Sequence, residues 1–141
     1  MPPDVIAPPT AGSEDVVWYH RNMDSTWKAD LTHQGLGHAL NASADPFIHR
    51  TFGGLVQGSS AGSGDAARPL VRVAEDGRGR LVSAEPATSH TVSAFVLTDQ
   101  TPTAEGWVGA IRSLAKSGAR ATPAAWEQAW GGKLKRYHCS V

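Results

Sequence analysis

Strand-like and helix-like patterning are segregated along this chain. Up to residue 97 the apolar runs are short, rich in β-branched and aromatic residues, and bounded by Gly, Asn, Asp and Pro. After residue 100 two stretches each open on Thr-Pro, at Thr101-Pro102 and Thr122-Pro123. Threonine followed by proline marks a helix start, because the N–H that proline lacks would be unpaired in the first turn anyway. Strands followed by helices argue for an α+β fold. The expected architecture is a mostly antiparallel sheet of about five or six strands with two C-terminal helices packed on one face.

The strand runs can be read individually. Val16-Val17-Trp18-Tyr19-His20-Arg21, a turn at Asn22–Ser25 and an alternating run from Thr26 to His33 predict a first hairpin. In that register His20 faces Trp27, and Val16, Trp18, His20, Trp27, Ala29 and Leu31 share the core side. Phe47–Gln57 reads as a strand with a bulge or bend at Gly53-Gly54. Leu70–Ala74 and Arg80–Ala84, joined through Glu75-Asp76-Gly77-Arg78-Gly79 with its Asp-Gly turn signal, predict a second hairpin. Thr91–Leu97 is apolar enough on both faces for a central strand. In the first helix Trp107, Val108, Ile111, Leu114 and Ala115 form one stripe, and Gly118 ends it. The second helix sets Trp126 and Trp130 four residues apart, and Leu134–Val141 reads as a returning strand.

A length of 141 residues suits one domain. The proline-rich stretch 1–14 reads as a disordered tail, residues 15–141 as a single domain, and Gly/Ser-rich 58–67 as a flexible loop. Thirteen basic residues balance thirteen acidic ones, which argues against an extended nucleic-acid surface, since such surfaces need excess Lys and Arg. The same neutrality leaves self-association into a homodimer open. Cys139 is the single cysteine, so no intrachain disulfide can form, and a reducing, cytoplasmic setting is expected. The start lacks the pattern of a secretory signal, and no apolar run is long enough to span a membrane.

Six histidines are the one compositional oddity. His20 between Trp18 and Trp27 is the candidate acid–base residue. His33, His38 and His49, with Trp18 and Trp27, are candidate ligand-binding residues. No Cys-x-x-Cys or His-Glu-x-x-His supports a metal, and no cofactor motif occurs. Neighbours on a strand point to opposite faces, so His138 does not activate Cys139. The doubled His-x-Ser/Thr pattern of the two-histidine phosphoesterases is not met, because His90-Thr91-Val92 lacks the hydroxyl. Arg112, Lys116, Arg120, Lys133, Lys135 and Arg136 form a basic cluster that could meet an anion or a partner. A core pattern without a catalytic motif reads as a module binding a protein or small molecule. The alternative is a small histidine-dependent hydrolase, cyclase or nuclease centred on His20.

Overall fold

A computed structural model describes residues 4–8, 14–64, 66–75, 78–118, 124 and 127–128. In chain order the elements are β1 (Val5–Ile6), β2 (Asp15–Arg21), α1 (Trp27–His33), a 3₁₀ turn (Gly37–Asn41), β3 (Arg50–Ala61), β4 (Arg68–Pro69), β5 (Val71–Glu75), β6 (Arg78–Val82), β7 (Ser89–Gln100) and α2 (Ala104–Lys116). The fold is α+β, with an antiparallel five-stranded sheet, a separate β5–β6 hairpin and α2 packed on the sheet.

β3 is the central strand. One edge pairs with β2 from Thr51↔Arg21 to Gln57↔Asp15, and the short β4 continues that edge at Ser59 and Ser60. The other edge pairs with β7 without interruption from Arg50↔Gln100 to Ala61↔Ser89. β1 closes the far side of β2. Residues 91–97, read from sequence as central, lie on a strand whose single described partner is β3. Their apolarity on both faces comes from α2 covering one face and from an exposed apolar surface on the other.

That first face holds the core. Val17, Leu55, Trp107 and Ile111 are fully buried, with Ala115 and Ala7 beside them. Tyr19, Phe95, Leu97 and Val108 pack at the margin. α2 is capped by the Thr103 hydroxyl, which accepts from the Gly106 N–H at 3.0 Å. Its first turn thus begins two residues after the Thr101 start read from sequence, while Gly118 (φ 63°) ends it as expected. Gly53 makes room for the Trp107 ring: a Cβ there would strike the Trp18 and Tyr19 backbone and come within 3.0 Å of that ring. Ala124, Glu127 and Gln128 are helical, but Trp126, Trp130 and the strand expected at 134–141 lie outside the described residues.

One local expectation is corrected. Thr26–His33 is helical from Trp27, so β2 pairs with β3 and not with this segment. Trp27 and Leu31 stand four apart, which fits one helical face as well as alternation fits a strand. The Ser25 hydroxyl accepts the Trp27 N–H, and Thr26 Oγ1 donates to Asp30 Oδ2 at 2.7 Å, and these local bonds favour the turn of helix. Within the stretch read as a tail, Val5 and Ile6 pair with Tyr19 and Trp18. Within the stretch read as a loop, Gly58–Ala61 extend β3 and Arg68–Pro69 pair back onto it.

Candidate functional site

The second face of the sheet is formed by Val16, Trp18 and His20 on β2, Phe52, Gly54, Val56 and Gly58 on β3, and Val92, Ala94, Val96 and Thr98 on β7, as the register requires. The β5–β6 hairpin covers only one end of it. Leu70 sits over Gly58, and Gly79 packs on Val16. Arg72 ties the hairpin down by donating to the Ala7 carbonyl at 2.8 Å and the Asp15 carbonyl at 3.3 Å.

Among the described residues nothing else covers the face. Val96 is 76% exposed, Val92 60%, Phe52 46% and Trp18 37%. Trp18 organises this surface. It pairs directly with Gly54, and a Cβ at Gly54 would lie 2.5 Å from its ring. The indole therefore lies down over the glycine. The Gly53-Gly54 pair is not a bulge: pairing runs through it on both sides. Each glycine admits a tryptophan, Trp107 on one face and Trp18 on the other.

Two shallow grooves meet at Trp18. One, of about 510 Å³, is lined by Val16, Trp18, Val56, Leu70, Gly79, Leu81 and Val92. The other, of about 380 Å³, is lined by Trp18, Phe52, Gly53, Val96, Leu97 and Thr98. Neither lining includes an ionisable side chain. Chemistry needs convergent polar groups, whereas an apolar lining suits recognition.

His20 is buried at 3% exposure and is not flanked by Trp27. Its cross-strand partner is Phe52, and the two rings stack at 5.1 Å. Nδ1 lies 2.9 Å from Asp4 Oδ1, so the N-terminal segment supplies a carboxylate to this imidazole. Sequence reasoning missed Asp4 because it falls in the stretch read as a tail. Its signal is the Val5-Ile6 pair that follows, an apolar dipeptide between Asp and a proline cluster.

The other sequence candidates scatter. Trp27 packs edge-on to Phe47 at 5.9 Å. His33 ends α1, His38 lies in the 3₁₀ turn and His49 occupies a left-handed position (φ 60°), all three exposed. Among the described residues no three His, Cys, Asp or Glu side chains are grouped to hold a metal ion. Arg112 is engaged with Asp15, Nε to Oδ2 at 3.0 Å and Nη2 to Oδ1 at 3.1 Å, so this member of the basic cluster fastens α2 to β2. Lys116 is exposed at the end of α2, while Arg120, Lys133, Lys135 and Arg136 lie outside the described residues.

Residues 2–131 match the family model of a domain of unknown function (DUF5703). The chain belongs to this family. No curated protein and no solved structure matches it. Among the described residues no helix is long and apolar enough to cross a membrane.

At the α1 end of the sheet lies a tightly bonded corner that sequence reasoning also missed. Asp45 Oδ1 accepts from the Ser25 hydroxyl (3.0 Å), the Phe47 N–H (2.8 Å) and the Ile48 N–H (3.1 Å). Desolvation pushes the Asp45 pKa upward, but the Phe47, Ser25 and Ile48 donors and the charge of Lys28 outweigh it and hold the carboxyl below its ordinary value. Arg21 donates to His49 O, Thr51 Oγ1, Thr101 O and Pro102 O at 2.8–3.1 Å. The corner fixes where β3 begins and where α2 starts.

Proposed function

We propose that this chain is a protein-binding module whose working surface is the apolar sheet face around Trp18. One observation carries the reading: two grooves share the Trp18 wall and present apolar groups with no ionisable side chain among their linings. Exposed aromatic and β-branched residues on a rigid sheet suit a partner that offers apolar side chains, and a patch of this kind on a single chain marks an interaction site. The single cysteine, Cys139, fits a reducing compartment, and cytoplasmic placement belongs to the same reading.

A second reading is a histidine-dependent enzyme. It is favoured by the contact between His20 and Asp4, which resembles the orienting half of an acid–base pair. It lacks a nucleophile or oxyanion donor beside the ring among the contacts of the described residues.

Titration with the apolar reporter 1-anilinonaphthalene-8-sulfonate, with near-ultraviolet circular dichroism confirming a packed core, separates these readings. Saturable binding is expected. Trp18→Ser weakens it about tenfold, because taking ~50 Å² of apolar area out of the groove wall lowers affinity by roughly that factor. His20→Gln leaves it unchanged. Dye binding that is absent, or indifferent to Trp18→Ser, overturns the module reading. Dye binding abolished only in His20→Gln moves the site to the imidazole.

A further inference from the structure

β7 is twelve residues long, so at about 3.4 Å per residue it spans roughly 40 Å. One edge is fully paired with β3, and the other edge pairs with no strand among the described residues. Alternate residues therefore turn their N–H and C=O groups outward without a backbone partner from another strand. Edge strands are ordinarily blunted by lysine, proline, a bulge or shortness. β7, Ser-His-Thr-Val-Ser-Ala-Phe-Val-Leu-Thr-Asp-Gln, has none of these devices. It carries no Lys, Arg, Pro or Gly, its pairing with β3 is unbroken, and two of its valines are largely exposed.

We infer that the edge of β7 left unpaired among the described residues joins β7 of a second copy of this chain, antiparallel about a two-fold axis, into one continuous sheet. The strand is self-complementary in one register. An axis through Ala94 sets Val92 opposite the partner's Val96, and Val96 opposite the partner's Val92. Directly opposed β-branched residues on one face stabilise such pairs by about 0.2–1 kcal/mol relative to alanine. The same register engages residues 89–99 of each copy, nearly the whole strand. The one carboxylate, Asp99, then faces the partner's Ser89 and not its own symmetry mate, and His90 faces the partner's Thr98. A formal net charge of zero leaves no long-range repulsion between copies. An isologous contact of this kind closes on itself and occupies the β7 edge of both copies, which guards against open-ended growth along that edge. Val92 and Val96 also line the Trp18 grooves, but the contact runs along the backbone edge of β7 turned away from β3, and the inference stands whether or not the grooves take a ligand.

Light scattering of the full chain between about 1 and 100 µM tests it. The mass is expected to rise with concentration from 14.9 kDa towards twice that value. Val92→Lys with Val96→Lys puts like charges opposite one another and is expected to hold the mass at 14.9 kDa. Trp18→Ser is expected to leave the dimer intact, so failure of the groove reading shows itself separately. In a Cys139→Ser background, Ala94→Cys is expected to oxidise to a covalent dimer. Opposed Cα atoms in an antiparallel pair lie about 4.5–5.5 Å apart, within disulfide reach. Lys116→Cys in the same background is the control expected to stay single. The cysteine experiment decides the matter even where the lysine variant does not fold. A single-copy mass throughout, a dimer indifferent to the two lysines, or no cross-link from Ala94→Cys overturns the inference.

Discussion

Trp107 shows what one side chain does here. It is fully buried between α2 and the sheet, in contact with Tyr19 at 5.7 Å between ring centroids, and it fits only because Gly53 has no side chain. Burying an aromatic side chain removes about 150–250 Å² from water, or several kcal/mol before the entropy of ordering. Trp107→Ala is expected to cost about 3–5 kcal/mol, read from the shift in urea midpoint at unchanged slope. A cost under about 1 kcal/mol would mean that α2 is not held by this residue. Trp18 is the counterpart on the other face. It too needs a glycine, Gly54, but it remains partly exposed and so contributes less to folding than to the character of the surface. Both tryptophans are visible in the sequence. What separates them is which face of the sheet received a helix, and that is not written in either residue.

At the scale of elements, the corner between β2, the 3₁₀ turn and β3 is held by side chains bonded to backbone, with Asp45 and Arg21 as its hubs. A carboxyl whose folded pKa lies below its unfolded value adds stability above that unfolded value, and the contribution fades as pH falls through the folded one. The corner is therefore expected to loosen in acid below the ordinary aspartate value of 3.8. Amide exchange at Phe47 and Ile48 checks this: their protection should fall with pH in the native chain, and Asp45→Asn should flatten that dependence. Protection that does not change with pH would show that the carboxylate is not what orders these amides. The alternation in Thr26–His33 misleads for a related reason. Seven residues satisfy both a strand period and a helical i, i+4 pair, so local bonds from Ser25 and Thr26, together with the better partner β3, decide the outcome.

Across the whole molecule, β3 is the axis of the fold because, among the described strands, it alone is paired on both edges along most of its length. Hydrogen exchange is expected to be slowest in β3 at Phe52–Gln57 and clearly faster at the amides of β7 that point away from it. Uniform protection across β7 in a dilute, monomeric sample would contradict a free edge. The α+β class, the second hairpin, the α2 stripe and its glycine stop were legible in the sequence, because they rest on periodicity and on glycine punctuation, which act over a few residues. The partner of β2, the pairing of Val5-Ile6, the contact of Asp4 with His20 and the pairing of β7 with β3 were not. They depend on strands separated by tens of residues, where many registers satisfy the same local pattern. Only the packing of α2 on one face, and the room left by two glycines for two tryptophans, selects among them.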